Sequence, residues 1–394
     1  MVHAIVVRAA LALAGLAVPL LLIEFTLRVF GPVLPGNYET GVWAEGHPTI
    51  GHVHVPGATA WIKEPEFTTY LRFNQYGLRG AETRVPKPSD RYRILLLGDS
   101  FIEGKQVRER ATLCERLNAL LADGGRDDVR ALNAGVFDWS QVHEYLYLRE
   151  AAPVLQPNLV VQFLYVGNDI GDLWPRSRGE LRDLERPLVQ VDGEGQLEFM
   201  PWQRHQPTTS ERFQGYLSRR SSAWRAFDTG VMDKIRYGAR DGQGIEGQML
   251  ELFRFKESPP EARAWQAVDA MLARTQELAA QSGARYAVVV IPTKWQVHKE
   301  DWLALLAAHG EEDDDRWVMR GPQKHAVQLA QARGIPVLDL LPALRNAARQ
   351  GERLYYAVDT HWRPEGHDQA ARAVLEFLQK SELLTPQEAA SIQH

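Results

Sequence analysis

Five short apolar runs recur along the chain, at 92–100 (YRILLLGDS), 129–136 (VRALNAGV), 159–169 (LVVQFLYVGND), 284–292 (ARYAVVVIP) and 335–342 (IPVLDLLP). Within each run the apolar residues follow one another instead of alternating, the pattern of strands buried on both faces. Between the runs the spacing becomes that of amphipathic helices, over about 107–123 and 367–379 for example. Strands and helices therefore alternate, which predicts an α/β domain of three layers around a doubly wound five-stranded parallel sheet. Its expected limits are 91–380, with a tail over 381–394.

The flanking segments read differently. Residues 31–90 are rich in Pro, Gly and aromatics and carry the alternating patch Tyr70 to Asn74 ahead of Gly77, the mark of a hairpin or extended lead-in. Residues 174 to about 258 break the alternation with Trp174, Trp202, Trp224 and many arginines. This stretch reads as an insertion beside the site, either a lid that shapes the substrate pocket or a peripheral elaboration.

At the N-terminus an uncharged run, AALALAGLAVPLLLI, lies between Arg8 and Glu24. These two charges are sixteen positions apart, about 24 Å along a helix, so both can reach the interfaces of a roughly 30 Å hydrocarbon layer. Residues 1–30 are therefore expected to form an uncleaved single-pass transmembrane anchor. A cleaved leader fits less well, since the apolar run continues through Val18 to Ile23 where a mature chain would begin. Arg8 and the terminal amine favour a short cytoplasmic tail, which places the remainder outside the cytoplasmic membrane; Arg28 on the far side weakens that bias.

Composition narrows the function classes. The chain has 394 residues, 45% of them hydrophobic, and a formal charge of −5, which supplies no basic footprint for nucleic acid. The single cysteine, Cys114, excludes an intrachain disulfide and reads as a packed thiol. His47, His52 and His54 lack carboxylate or thiol companions at ligand spacing, and the acidic run Glu311 to Asp315 lacks the glycine of a calcium loop. Gly242 to Gly247 fits G-x-G-x-x-G but follows no apolar strand, so a dinucleotide is not expected.

Candidate chemistry collects at strand ends. Ser100 closes the first run in Gly98-Asp99-Ser100, where a strand-to-helix turn exposes a hydroxyl at the carboxyl edge of the sheet. Gly135, in Asn133-Ala134-Gly135, and Asn168, in Gly167-Asn168-Asp169, end the second and third runs. A backbone N–H at Gly135 and the amide of Asn168 are candidate donors to a developing oxyanion. His361, in Asp359-Thr360-His361, is the candidate base. Two positions apart on an extended loop, Asp359 and His361 would point the same way, so the carboxylate can hold Nδ1–H while Nε2 faces Ser100. Asp339, ending the fifth run, is the alternative carboxylate.

These blocks together resemble the SGNH hydrolases, or GDSL esterases, over residues 92–169 and 284–379. The resemblance implies a flavodoxin-like fold, Ser100 as nucleophile, Ser100, Gly135 and Asn168 as oxyanion donors, and His361 with Asp359 as the remaining pair. The D-x-H spacing is similar to that of membrane-associated acetyltransferases acting on exopolysaccharide, where many family members have D-x-x-H. The expected function is a serine esterase acting on acyl, first of all acetyl, esters of envelope carbohydrate or lipid, with O-acetyl transfer to a polysaccharide as the alternative. A non-catalytic membrane-tethered scaffold or carbohydrate-binding protein is the competing class, and intact Ser100, Asn168 and His361 argue against it. No metal or organic cofactor is implied.

Overall fold

The computed structural model describes residues 2–30, 38–39, 42–172, 187–191, 197–200, 208–228, 250, 252–254 and 259–385. The stretch 242–247, Trp174, Trp202 and most of the expected insertion lie outside them. From the N-terminus, helix α1 (Val2–Phe30) precedes five short strands: β1 (Tyr38–Glu39), β2 (Ala44–His47), β3 (Gly51–His54), β4 (Thr59–Glu64) and β5 (Phe67–Arg72). β2 and β3 form one antiparallel hairpin, while β4 and β5 form another that β1 extends. The lead-in is thus built of hairpins, and the β4–β5 burial pattern alternates as a half-buried ribbon should.

The α/β domain then runs β6 (Tyr92–Gly98), α2 (Ser100–Glu103), α3 (Leu113–Asp123), β7 (Val129–Gly135), α4 (Gln141–Leu155), β8 (Leu159–Tyr165) and α5 (Asp169–Asp172). A small hairpin, β9 (Val189–Val191) with β10 (Leu197–Phe199), and helices α6 (Thr209–Arg220) and α7 (Ser222–Phe227) are the described parts of the insertion. The domain resumes with α8 (Pro259–Gln281), β11 (Arg285–Ile291), α9 (Lys294–Val297), α10 (Lys299–Ala308), α11 (Gly321–Ala332), β12 (Val337–Asp339), α12 (Leu341–Arg349) and α13 (Pro364–Lys380).

The five expected runs form one parallel sheet in the order β12-β11-β8-β6-β7. Alternate residues serve two cores. Leu95, Leu97, Val160, Leu164, Val288 and Val290 face α4, α8 and α11, while Ile94, Leu96, Val161, Phe163, Val289 and Ile291 face α3, α12 and α13. Burying a side chain of this size contributes about 1.5–3 kcal/mol, so apolar continuity in the sequence becomes a sheet covered on both sides. The chain leaves β6 for β7 on one flank and returns to β8 on the other. That reversal opens a crevice at the carboxyl ends of β6 and β8, the place where sheets of this type bind ligands.

Two expectations are corrected here. The helix expected from 107 begins at Leu113, because Glu109–Ala111 forms a 3-10 turn and the Thr112 hydroxyl accepts the Glu115 amide as the helix cap. The N-terminal helix is present, yet among the described residues no helix is long and apolar enough to cross a membrane. Its uncharged run between Arg8 and Glu24 is 15 residues, fewer than the roughly 20 that a span takes. Glu24 also faces protein: its carboxylate accepts the Ser221 hydroxyl and the Ser222 and Ala223 amides, capping α7.

Candidate active site

Asp99 and Gly104 define the turn that carries Ser100. The buried Asp99 carboxylate accepts the Phe101 amide at 2.9 Å as the cap of α2, and Gly104 ends α2 at φ 64° in the left-handed region. A four-residue helix results, seated on the end of β6 with Ser100 as its first residue and half-buried. Gly98 and Gly135 let it sit there. A Cβ on Gly98 would lie 2.5 Å from Ile102 Cγ1, and one on Gly135 would overlap the Glu103 amide. The α2 turn is also tied sideways: Asn133 Nδ2 donates to Ile102 O at 2.7 Å, and the buried Arg79 guanidinium donates to Glu103 O at 2.5 Å and Val107 O at 2.6 Å. The Glu103 carboxylate is fully buried against His54 Nε2 at 2.7 Å.

The second half of the site arrives from the loop between α12 and α13. Ser100 Oγ lies 2.7 Å from His361 Nε2, and His361 Nδ1 lies 2.9 Å from Asp359 Oδ1. An ionised carboxylate only accepts, so Nδ1 carries the proton and Nε2 presents its lone pair to the serine hydroxyl, which donates. Serine, histidine and aspartate thus form one continuous relay. Asp339 is elsewhere: it accepts the Leu341 amide at 2.9 Å and lies 4.0 Å from Arg320.

The route by which Asp359 reaches the ring differs from the extended loop expected. Thr360 adopts φ 72°, and Asp359 Oδ1 also accepts the His361 amide at 3.3 Å. The chain turns back at Thr360 as an Asx turn does, so one intervening residue suffices. Phe101 packs against the imidazole with ring centroids 4.8 Å apart, and Tyr165 and Trp362 pack in turn on Phe101.

The electrostatics follow from these contacts. Burial pushes the His361 pKa down, but the Asp359 hydrogen bond and charge, assisted by Asp99, outweigh it and leave the imidazole above its ordinary 6.5. Asp359 moves the opposite way: burial raises its carboxyl, and the hydrogen bond to His361 more than compensates. Asp99, fully buried, is pushed up by desolvation.

On the oxyanion side, Gly135 N–H donates to Asn133 Oδ1 at 3.0 Å within the strand-end turn. Gly135 also allows the close approach of β7 to α2. Asn168 occupies the turn between β8 and α5, half-buried, at the carboxyl edge where β6 also ends. Four contributors went unrecognised in the sequence: Asn133, the His54–Glu103 pair, Arg79, and Glu66, whose carboxylate accepts three amides of the loop before His361. The run N-A-G carries the one visible hint, since its asparagine precedes a strand-end glycine.

The remaining candidates are accounted for by ordinary packing. His52 Nε2 meets Phe137 O at 2.7 Å, His47 meets Thr49 Oγ1 at 3.2 Å, and Cys114 is buried, which raises its thiol pKa. Asp313 and Asp314 of the acidic run pair with Lys299 and Arg316. A cavity of about 320 Å³ between the β2–β3 hairpin and α4, lined by Ile50, Val53, Leu78, Trp139 and Tyr147, contains none of Ser100, Asn168 and His361. Hydrogen-bond geometry, not concavity, locates this site.

A doubly wound sheet with Ser, His and Asp joined at its switch point defines a nucleophilic-serine enzyme acting on esters, hydrolase or acyltransferase. Residues 245–393 match the family model of the SGNH hydrolase-like domain, acetyltransferase AlgX, a segment that holds β11, β12 and the Asp359–His361 loop. The likeness to that domain covers this segment, which is less than half of the chain. Solved structures to which it is similar include a member of the lipolytic protein G-D-S-L family from Veillonella parvula (15% identity, covering 73% of this chain and 99% of that one, TM-score 0.35). Others are a lipase/acylhydrolase from Enterococcus faecalis (12%, 76% and 100%, TM-score 0.38) and a catalytic mutant of Axe2, an acetylxylan esterase from Geobacillus stearothermophilus (12%, 73% and 94%, TM-score 0.36). No curated protein matches the chain.

Proposed function

We propose that the chain removes or transfers an acetyl group carried as an ester on carbohydrate, through an acetyl-Ser100 intermediate. The observation that carries this reading is the 2.7 Å approach of Ser100 Oγ to an imidazole whose other nitrogen is held 2.9 Å from Asp359. Ser100 Oγ attacks the ester carbonyl carbon as its proton passes to His361 Nε2. The tetrahedral oxygen takes up negative charge, with the Ser100 N–H and the Asn168 amide as its donors. The carbon–oxygen bond to the leaving alcohol breaks as His361 returns the proton to that alcohol. An incoming hydroxyl then gives its proton to His361 Nε2 and bonds to the acetyl carbon, and the bond from that carbon to Ser100 Oγ breaks as His361 returns the proton to Oγ. Water as that hydroxyl yields hydrolysis, and a sugar hydroxyl yields transfer.

The carbohydrate assignment is supported by the family matched over 245–393 and by the paired aromatics Trp61 and Tyr70, which stay 37% and 42% exposed on the β4–β5 hairpin with centroids 5.1 Å apart. An acyl ester on a lipid is the neighbouring possibility for the same chemistry. Attachment to the outer side of the cytoplasmic membrane through α1 belongs to this proposal. Its support is the row of exposed side chains Leu11, Leu16, Leu20, Leu21 and Phe25, and the adjoining helix α6, which exposes Phe213 and Tyr216 beside Arg220.

Turnover of a nitrophenyl acetate by the full chain, compared with Ser100→Ala, tests the reaction. The expected loss is about 10⁴-fold or more in kcat; a variant as fast as the parent contradicts the proposal. Adding a carbohydrate acceptor then separates the two outcomes, because transfer diverts acetate from solution onto the sugar.

A further inference from the structure

We propose that Glu66 is the positioning residue of this active site: from the turn of the β4–β5 hairpin its carboxylate sets the loop that aims Asp359 and His361 at Ser100. The inference rests on the reading of Ser100, His361 and Asp359 as the reacting relay.

Three successive amides converge on this one side chain. Ala357 N–H donates to Oε1 at 2.8 Å, and Val358 N–H and Asp359 N–H donate to Oε2 at 2.8 and 2.7 Å. A run of backbone amides pointing the same way is an anion-binding concavity. Here the anion is supplied by the protein, from 293 residues upstream of Asp359. The last amide belongs to the residue whose carboxylate holds the imidazole, so the carboxylate of Glu66 and the reacting ring are separated by a single residue's backbone and side chain.

The rest of the loop leaves this contact a specific task. The base of the loop is already fixed: Tyr355 and Trp362 pair across it, Tyr356 N–H donates to His361 O at 2.9 Å, and Lys294 Nζ donates to Ala357 O at 2.7 Å. The tip is not buried, for Val358 is 77% exposed, so apolar packing does not hold it. Beyond the tip, Thr360 sits at φ 72°, a conformation that is unfavourable for a non-glycine residue. Charge-assisted bonds to the three preceding amides offset that cost. The hairpin that presents Glu66 is itself anchored, with Phe67 buried and its ring 5.7 Å from Tyr356. The lead-in therefore supports both halves of the site, Arg79 and His54 beneath the Ser100 turn and Glu66 above the His361 turn.

The test compares Glu66→Ala and Glu66→Gln with the parent and Ser100→Ala, all as full chains, by kcat, KM, the pH dependence of kcat/KM on a nitrophenyl acetate, and thermal midpoint. Glu66→Ala should lower kcat by about 10- to 100-fold, since small misplacements of reacting groups cost on that order. KM should stay within about twofold, as no contact to the substrate is lost. The acid limb of the profile should move to lower pH, because a loosened Asp359 no longer lifts the His361 pKa. Glu66→Gln should fall between, its one oxygen still able to accept the Val358 and Asp359 amides while its NH₂ opposes Ala357; if the alanine variant does not fold, this milder change decides. Two results overturn the inference: kcat retained in both variants, or kcat lowered with the acid limb unmoved, which is the signature of a merely structural contact. A parent no faster than Ser100→Ala removes the reading of the site itself and the inference with it, an outcome distinct from either.

Discussion

His361 sits between an alcohol that must give up a proton and a carboxylate that only accepts, and this fixes which of its nitrogens is protonated. Asp359→Asn presents an amide NH₂ to Nδ1 and selects the wrong tautomer; kcat should fall by about 10⁴-fold with little change in KM. The pH dependence follows from the same contacts. Only the neutral imidazole takes a proton, and its pKa stands above 6.5, so kcat/KM should be lost as pH falls through a midpoint above that value. A midpoint at or below the ordinary imidazole value contradicts the Asp359 contact. At this scale Ser100, His361 and Asp359 were legible because each stands in a short block whose spacing serves chemistry. Gly135 stayed two-sided in the sequence because a glycine at a strand end has two uses, an exposed amide or room for a neighbour. The structure shows the second use and places the Asn133 side-chain Oδ1 3.0 Å from the Gly135 amide.

The elements that position these groups are strand ends with very short helices on them. The five strands could be read from apolar continuity alone, since a strand covered on both faces has little room for polar residues. The α2 turn could not, for its four residues are set by the Asp99 cap, the left-handed Gly104 and the close passage of β7 beneath it. Gly135→Ala tests that passage. The added methyl overlaps the Glu103 amide and lies 2.7 Å from Ile102 Cβ, so it should destabilise the fold by about 1–3 kcal/mol and lower the thermal midpoint. Activity should drop with it as α2 and Ser100 shift. A variant as stable as the parent would mean that the strand end is looser than described. The β4–β5 hairpin was legible as a ribbon but not as a clamp, because no local pattern relates Glu66 to amides 293 positions away.

Across the molecule, the sheet order places Ser100 and Asn168 on adjacent strand ends, and the loop before α13 carries His361 back over them. The alternation of strands and helices implied the sheet, whereas the hairpins of the lead-in, which brace the site, were visible only as a Pro- and Gly-rich stretch. The role of α1 belongs to this scale. Its uncharged run is short for a span, its apolar side chains are exposed, and Glu24 ties its lower end to α7. The proposal of membrane attachment predicts that the full chain stays with the membrane pellet after alkaline carbonate extraction; recovery in the supernatant contradicts it. The central claim is the covalent one, and its most direct measurement is the mass of the protein after brief reaction with a nitrophenyl acetate and quenching in acid. The account predicts a single acetyl group located on the peptide containing Ser100 and absent from Ser100→Ala. Turnover with no acetyl on Ser100, or the same adduct persisting in Ser100→Ala, would contradict it.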